Sequence, residues 1–290
     1  MRSLILYSSG FLGKSGVEEP RKNAEELLSF VLQEPVLNLY LQEKRRISPE
    51  EAGLFRRLVL KRAGFIPLQY LTKKVDFYGY EFFVKKGVFI PRPETEMLVE
   101  EAVNIYARHF SPRYARILDI GTGSGNISVT LAGEIDNCSI VATDISAGAM
   151  DAAILNADRY RFGAKIRFEK CSLFPGGSGK FDIIVSNPPY IPTGEIPFLP
   201  EEVKKEPRRA LAGGRDGIAV IKKILHGAAI FLSDGGYLLL EIGCGQAGML
   251  REMDCALDLK AVKKDLSGIE RYAIFQKRGI RKRKPGILNG

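Results

Sequence analysis

The 290-residue sequence contains few of the residues that build disulfide frameworks or hold metal ions. It has four cysteines and two histidines. No two cysteines form a Cys-x-x-Cys pair and no histidine lies beside one, which argues against a zinc site and against a disulfide scaffold. We therefore expect no metal and a reducing compartment, that is, a cytoplasmic location.

Long hydrophobic runs are also missing. The best apolar stretch, residues 224–232, is about half of the roughly 20 residues that a membrane-spanning helix needs, and charged residues flank it. The N-terminal segment has one arginine and few apolar residues, and Glu18 and Glu19 follow soon after. We interpret this segment as the start of a helix and not as a signal or transit peptide, and we expect no membrane partner.

The remaining composition is that of a globular protein. Hydrophobic residues make up 45% of the chain and charged residues 27%, which excludes collagen-like and disordered classes. The length favours two domains. Six basic residues between 277 and 284 leave only +3 of the net charge of +9 on the rest of the chain. The tail is typical of a solvated end and suggests at most a weak contact with nucleic acid or the ribosome.

Hydrophobic spacing divides the chain into regions. Residues 1–75 show apolar positions three and four apart, which predicts a small helical domain. Residues 76–90 predict a β-hairpin linker, residues 91–278 a larger α/β domain, and residues 279–290 the basic tail. In the α/β domain, apolar strands alternate with helices, which predicts a seven-stranded, mostly parallel sheet whose last two strands form an antiparallel hairpin. The predicted strands cover 117–121, 140–145, 165–171, 181–187, 235–242, 257–264 and 271–277.

A cluster of glycines follows the first strand of this sheet. Glycine permits a sharp turn and lets a ligand approach the backbone amides at a helix N-terminus. A glycine cluster alone is as consistent with a tight turn that binds no ligand as with a turn that binds one. The turn consists of Gly121, Thr122, Gly123, Ser124 and Gly125.

Two carboxylates near the turn sharpen this interpretation. Asp144 ends the second strand and could accept hydrogen bonds from both hydroxyls of a ribose. The alternative for Asp144 is a helix cap, but Ser146 is the better cap and would leave Asp144 free. Asp119 lies inside the first strand, where a buried carboxylate needs a partner. Either holding the glycine turn or reaching a ligand amine would explain it.

The strongest signal comes at the carboxyl end of the fourth strand. Asn187, Pro188, Pro189 and Tyr190 follow it directly, at the edge where open α/β sheets bind ligands. The prolines donate no backbone hydrogen bonds, so the Asn187 side-chain oxygen and the Pro188 carbonyl remain as acceptors suited to an NH₂ group. Tyr190 offers a flat face for a planar group. The pattern predicts methyl transfer to an amide or aryl amine nitrogen, driven by proximity and fixed dipoles. The alternative is a strand-ending turn with a surface tyrosine.

Together these segments resemble class I S-adenosylmethionine-dependent methyltransferases, and specifically the HemK/PrmC family. That family methylates the glutamine side-chain amide nitrogen (N5) in the Gly-Gly-Gln motif of peptide chain release factors. The resemblance implies a Rossmann-like α/β fold, and it covers nearly the whole chain. It is carried by RKNAEELL (21–28), PLQYL (67–71), IPRPETE (90–96), GTGSG (121–125), NPPY (187–190), EPRRALAGGRDG (206–217), LEIG (240–243) and DLSGIER (265–271).

The resemblance also implies roles for individual residues. The helical domain would recognise the protein substrate. S-adenosylmethionine would be held by the glycine turn, by Asp144, by Leu173 and by Asn187. Ser172 replaces an acidic residue that the family usually places beside the adenine. Asn187, Pro188 and Tyr190 would be catalytic and, with Pro189, would form the glutamine slot. Phe89 would line this slot, although a plain core aromatic is an equal interpretation.

Other functions fit parts of the same sequence. The Asn-Pro-Pro-Tyr motif also occurs in adenine-N6 nucleic-acid methyltransferases, which would need base flipping and a basic cleft. A glutamine of a ribosomal protein is an alternative substrate for the same chemistry. A non-enzymatic cofactor- or ribosome-binding module is a third possibility. Residues 191–216 form a long connection after the motif, which we interpret as a lid that contacts the protein substrate.

Overall fold

The computed structural model describes residues 1–41, 45–177 and 179–278, so the predicted basic tail over 279–290 lies outside the described residues. Five helices form the N-terminal region. The fourth begins at a capping box in which Ser48 accepts from the Glu51 amide and Glu51 accepts from the Ser48 amide. The helices are α1 (Arg2–Lys14), α2 (Pro20–Leu32), α3 (Asn38–Leu41), α4 (Pro49–Ala63) and α5 (Leu68–Thr72).

These helices share one apolar core, built around residues such as Leu27, Leu28 and Phe55, which are each at most 1% exposed. The apolar faces of amphipathic helices meet there, as the spacing of three and four predicts. The boundary of a separate domain at residue 75 stays a prediction.

A short antiparallel hairpin follows, with strands β1 (Lys74–Phe77) and β2 (Tyr80–Phe83). Tyr78 and Gly79 make the turn with φ angles of 51° and 77°, a conformation that glycine adopts without strain. The Asn156 side chain accepts from the Phe83 amide and donates to the Phe83 carbonyl. The hairpin is therefore tied to the α/β region.

The α/β region contains a seven-stranded sheet of order β5-β4-β3-β6-β7-β9-β8. Its strands pair in parallel except at β9, which is antiparallel to both of its neighbours. The predicted fold class and the terminal antiparallel hairpin are confirmed. The elements are α6 (Glu94–His109), β3 (Ala115–Ile120), α7 (Asn126–Glu134), β4 (Cys138–Asp144), α8 (Ala147–Arg159), β5 (Ile166–Lys170), β6 (Phe181–Ser186), α9 (Arg208–Leu211), α10 (Ala219–Phe231), β7 (Leu232–Glu241), α11 (Gln246–Arg251), β8 (Leu257–Lys264) and β9 (Glu270–Lys277).

Helices cover both faces of this sheet, which explains why its central strands are apolar throughout. In β3, Ile117 faces one apolar cluster and Leu118 faces the other, because successive strand side chains point to opposite faces. The strand predicted from residue 235 begins instead at Leu232, which pairs with Phe181. In the part of the chain that the structure describes, no helix combines the length and apolarity needed to cross a membrane.

The order of the strands in the sheet also determines where a ligand can bind. Strands β3 and β6 are parallel neighbours, and Ile120 lies opposite Ser186 at their carboxyl ends. The chain continues from β3 toward one edge of the sheet and returns to β6 on the other side. Ligands bind at such a switch point in open α/β sheets. The glycine turn and Asn187 follow these two strands and therefore lie side by side.

Candidate active site

A cavity of about 640 Å³ opens at the carboxyl ends of β3, β4 and β6. Most of the predicted site residues line it, although they come from separate parts of the chain. The lining includes the glycine turn, the end of β4, residues 171–173, the Asn-Pro-Pro-Tyr motif, residues 87–89 with Arg92, and part of the predicted lid, residues 207 and 209–211.

The glycine turn is held from within by side chains of its own segment. Thr122 donates from Oγ1 to Asp119 Oδ2 over 2.6 Å, so Asp119 does hold the turn. Burial raises the pKa of the Asp119 carboxyl to about 7, against the opposing effect of the hydroxyl donors Thr122 and Ser128. Asp119 Oδ1 and Ser124 Oγ are buried and have no hydrogen-bond partner among the described residues.

Gly125 differs from the rest of the turn. It precedes α7 with a φ angle of 82°, and a Cβ there would lie 3.1 Å from the Cα of Ala153. Gly121, Thr122, Gly123 and Ser124 line the cavity, whereas Gly125 packs against α8. Its glycine is required by helix packing, and its cofactor-binding role stays a prediction.

Asp144 lines the cavity but is not free of protein contacts. Its Oδ2 accepts from the Gly123 amide over 3.0 Å, and its Oδ1 accepts from the Ser146 amide over 2.8 Å. Ser146 does cap α8 by accepting from the Ala149 amide, as predicted. Each carboxylate oxygen can accept a second hydrogen bond, so Asp144 retains capacity for a pair of hydroxyls.

The turn after β5 forms another wall of the cavity, where Ser172 and Leu173 lie. Leu173 has a left-handed backbone with a φ angle of 65°, which is unfavourable for a branched side chain. Thr143 donates from Oγ1 to the Leu173 carbonyl over 2.7 Å and holds this conformation. The segment 171–173 is thereby fixed against β4.

A buried chain of hydrogen bonds lies behind Asn187. The Asn187 Nδ2 donates to Thr95 Oγ1 over 3.0 Å, and Thr95 Oγ1 donates to Glu241 Oε2 over 2.7 Å. The Tyr190 hydroxyl donates to the other oxygen, Glu241 Oε1, over 3.1 Å. One carboxylate at the end of β7 therefore supports both polar side chains of the Asn-Pro-Pro-Tyr motif.

The ionisation behaviour of this cluster follows from its burial. Glu241 is 2% exposed, and burial raises its pKa, whereas the hydroxyls of Thr95 and Tyr190 and the charge of Arg271 lower it. Burial and the neighbouring Glu241 raise the pKa of the Tyr190 phenol. Tyr190 therefore stays protonated near neutral pH and acts as a donor, not as a base.

Phe89 lines the cavity together with the motif and is not one of the buried core residues. The Arg92 guanidinium lies over the Phe89 ring, 5.0 Å from its centre. Arg92 also pairs with the buried Glu206, which accepts from the Ile90 amide over 3.0 Å. Burial raises the pKa of Glu206, and Arg92 opposes the shift. These contacts tie the segment before α6 to the predicted lid.

The backbone of the motif is fixed by close contacts with α11, with the lid and with Gly217, which follows the lid. Gln246 donates from Nε2 to the Tyr190 carbonyl over 2.8 Å and accepts from the Gly243 amide. A Cβ at Gly213 would lie 2.7 Å from the Pro189 carbonyl oxygen, and one at Gly217 would lie 2.4 Å from that of Tyr190. Only glycine fits at these two positions. Two of the three glycines of EPRRALAGGRDG, Gly213 and Gly217, are therefore explained by contact with the motif, whereas a Cβ at Gly214 would meet Ala219.

Sequence reasoning assigned no role to several of these supporting residues. All of them except Gln246 lie inside segments that carried the resemblance, which indicates that they are important but not what they do. The residues are Arg92, Thr95, Glu206, Glu241 and Gln246.

The fold and the cavity define a class I methyltransferase. The family described as "Methyltransferase small domain" matches residues 80–212, and the one described as "PrmC N-terminal domain" matches residues 3–72. A solved methyltransferase from Pyrococcus furiosus is 21% identical, with a TM-score of 0.50 over 70% of this chain and 91% of its own. That likeness supports the fold alone.

Curated relatives identify the family more closely. A release factor glutamine methyltransferase from Geobacter sulfurreducens is 41% identical over 249 residues, covering 85% of each chain. One from Moorella thermoacetica is 38% identical over 273 residues, covering 92% of this chain and 95% of its own. The chain belongs to the release factor glutamine methyltransferase family. The resemblance drawn from the sequence is thereby confirmed.

Proposed function

We propose that this protein transfers a methyl group from S-adenosylmethionine to the side-chain amide nitrogen (N5) of the glutamine in the Gly-Gly-Gln motif of peptide chain release factors. The observation that carries the proposal is the orientation of Asn187. Its amide nitrogen is occupied by Thr95, which leaves its oxygen to accept from a substrate NH₂ group. We also propose a cytoplasmic location, where release factors act.

The residues of the glycine turn fit the proposed cofactor. Gly121 and Gly123 have φ angles of 73° and 58° and keep the turn free of side chains on the cavity side. Asp144 offers acceptors for a ribose, and the unpartnered Ser124 Oγ is a buried polar atom of a residue that lines the cavity. When bound, S-adenosylmethionine supplies an electrophilic methyl group on a positively charged sulfur. Leu173 and Ser172 would contact the adenine end.

The chemistry of the acceptor side follows from its hydrogen-bonding groups. A glutamine amide nitrogen is a weak nucleophile because its lone pair is delocalised into the carbonyl. The Asn187 oxygen and the Pro188 carbonyl accept from its two hydrogens and hold the nitrogen with its lone pair directed at the methyl carbon. The new N–C bond forms as the S–C bond breaks, the electron pair stays on sulfur, and the nitrogen releases one proton to solvent. Orientation and fixed dipoles supply the rate.

The remaining walls would define the acceptor slot. Phe89, Pro189 and Tyr190 line the same cavity and offer flat apolar surfaces to a glutamine side chain. Arg92 holds Phe89 in place, and the lid closes one end. The helical N-terminal region would grip the protein substrate outside the cavity.

The proposal is tested by radiolabelled methyl transfer to a purified release factor, with the same factor changed at its Gly-Gly-Gln glutamine, a ribosomal protein and nucleic acid as parallel acceptors. We expect label on the intact factor alone. Asn187→Ala should lower kcat by about 10³-fold, the loss expected for removing a fixed group that stabilises the transition state. Asn137→Ala, at an exposed asparagine whose side chain donates to the Pro112 carbonyl, is the matched control and should retain activity. Label on nucleic acid alone would contradict the proposal.

A further inference from the structure

The side-chain amide of an asparagine has two nearly isosteric orientations, and only one of them suits an NH₂ substrate. With the oxygen toward the cavity, Asn187 accepts from the substrate. With the nitrogen toward the cavity, two donors would face each other. Nothing in the covalent structure of Asn187 selects the productive orientation.

The buried hydrogen-bond chain makes that selection. Glu241 accepts at both oxygens, from Thr95 and from Tyr190. A hydroxyl has a single proton, and Thr95 gives its proton to Glu241, so Thr95 Oγ1 can only accept from Asn187. Asn187 must therefore turn its NH₂ toward Thr95. Its oxygen is not among the buried unpartnered atoms of the described residues, which agrees with exposure to the cavity.

Burial makes this preference strong. Thr95 is 1% exposed and Glu241 is 2% exposed, so water cannot replace either partner. If Asn187 flipped, its oxygen would face a Thr95 oxygen that has no proton left, and two buried acceptors would be apposed. Leaving buried polar groups unpaired is more costly than forming an ordinary hydrogen bond is favourable.

We propose that Thr95 and Glu241 are positioning residues that fix the Asn187 amide with its oxygen toward the acceptor nitrogen. The proposal rests on the role proposed above for Asn187. It also gives the site a specificity: the slot presents acceptors, so it selects a side chain that brings two N–H donors and rejects a carboxylate of the same shape. If a glutamate replaced the target glutamine, its carboxylate oxygen would face the Asn187 oxygen, and the two acceptors would repel each other.

The test compares three threonine variants in methyl transfer to a release factor. Thr95→Val keeps the shape and removes the hydroxyl, so we expect kcat to fall by about 10- to 100-fold, the range expected when a reacting group is misoriented. The Kd for S-adenosylmethionine, measured by calorimetry, should change less than twofold. Thr95→Ser restores the hydroxyl and should recover kcat to within about threefold. Thr130→Val is the control, because the buried Thr130 hydroxyl donates only to the Asn126 carbonyl of its own helix.

A double variant separates positioning from a structural role. If Thr95 acts through Asn187, adding Thr95→Val to Asn187→Ala should lower kcat no further, because the group to be oriented is gone. Independent, additive losses would overturn the proposal, as would wild-type kcat for Thr95→Val or a Thr95→Ser variant as impaired as Thr95→Val. If thermal unfolding shows that Thr95→Val is not folded, Thr95→Ala replaces it in the same double-variant comparison.

The outcomes distinguish this proposal from the proposed function. A wild-type enzyme that labels nucleic acid but not the release factor contradicts the function, and the threonine series is then measured on that acceptor. A wild-type enzyme that labels the release factor, together with additive losses in the double variant, supports the function and overturns the positioning roles.

Discussion

The two sides of the cavity are built in different ways. On the glycine-turn side, the supporting contacts lie within or between consecutive strand–helix units: Thr122 bonds to Asp119 three residues away, and the Gly123 amide donates to Asp144 21 residues away. On the acceptor side, Asn187 bonds to Thr95 across 92 residues, and Tyr190 bonds to Glu241 across 51. The cofactor side is therefore built from consecutive segments of the chain, whereas the acceptor side joins segments that are far apart in the sequence.

This difference has a functional consequence. A turn that is stabilised locally can keep its shape while neighbouring elements shift. The acceptor side instead combines α6, β7, α11 and the lid, so a displacement of any one of them moves the reacting groups. We expect damage on the acceptor side to lower kcat and damage on the glycine-turn side to weaken cofactor binding.

Among substitutions outside the Asn-Pro-Pro-Tyr motif, the largest effect should come from Gly217→Ala. The added Cβ would lie 2.4 Å from the Tyr190 carbonyl oxygen and 2.5 Å from Gln246 Nε2, so the motif must move. We expect kcat to fall by about 10²-fold, because small misplacements of reacting groups have effects of this size. The Kd for S-adenosylmethionine should stay within about threefold. Steady-state kinetics and calorimetry measure the two quantities.

Gly235→Ala is the matched control for backbone strain. Gly235 has a φ angle of 78°, against 77° for Gly217, but a Cβ there meets nothing within 4 Å. Both variants carry the same conformational penalty and only one displaces the motif. Equal losses of kcat in the two variants would show that strain, and not contact with the motif, requires glycine at position 217.

The same contrast explains what the sequence could predict. The seven strands and the glycine turn follow from local patterns: apolar runs, glycine spacing and a carboxylate 21 residues after Gly123. The position of Asn187 beside the turn also follows, since β3 and β6 end at the same edge. These features need only the periodicity of one segment and the general rules of parallel sheets.

The supporting residues of the acceptor side could not be derived in this way. Thr95 looks like one more residue in the first turn of a helix, and Glu241 looks like a charged residue at a strand end. Their pairing depends on where α6 packs against β7, which no local pattern encodes. The hydrogen bond from the Gly123 amide to Asp144 could not be predicted for a related reason, since it reaches Asp144 from the turn after the neighbouring strand. The lid helices and α11 are too short for hydrophobic periodicity to reveal.

A smaller effect, confined to binding, is expected on the glycine-turn side. Asp144→Asn removes the charge and one of the two acceptor atoms while keeping the shape. We expect the Kd for S-adenosylmethionine to rise by about 10-fold, since hydrogen bonds to charged groups contribute about 1.5–3 kcal/mol. At saturating cofactor, kcat should change less than threefold. Calorimetry and cofactor titration of the transfer rate measure the two parts.

Asp151→Asn serves as the control for lost charge. Asp151 lies on α8, the helix that follows Asp144, but it is 65% exposed and pairs with Lys85. Its substitution should leave the cofactor affinity unchanged. If Asp144→Asn lowers kcat at saturating cofactor without changing the Kd, this contradicts the expectation that the glycine-turn side determines cofactor binding and the acceptor side determines kcat.

The smallest effect concerns Asp119, whose carboxyl is buried with one oxygen unpartnered. Its pKa is about 7 in the folded protein and 3.8 without the influence of the fold. The unfolded chain therefore loses this proton at lower pH than the folded protein, and stability falls as pH rises from about 4 to about 7. Asp119→Asn keeps an acceptor for Thr122 and has no proton to lose, so it removes this dependence.

Thermal unfolding of both proteins at pH 5 and pH 8 measures the difference. Between these values, the Tm of Asp119→Asn should gain about 5 °C relative to the wild type, because the wild type loses about 2.5 kcal/mol from this carboxyl and each kcal/mol corresponds to about 2 °C for a chain of this size. Asp136→Asn, at a fully exposed carboxyl, should follow the wild type at both values. Parallel behaviour of Asp119→Asn and the wild type would mean that the Asp119 carboxyl is already ionised at pH 5. The glycine turn would then hold a buried negative charge available to a ligand amine, and the two sides would be more alike than their contacts indicate.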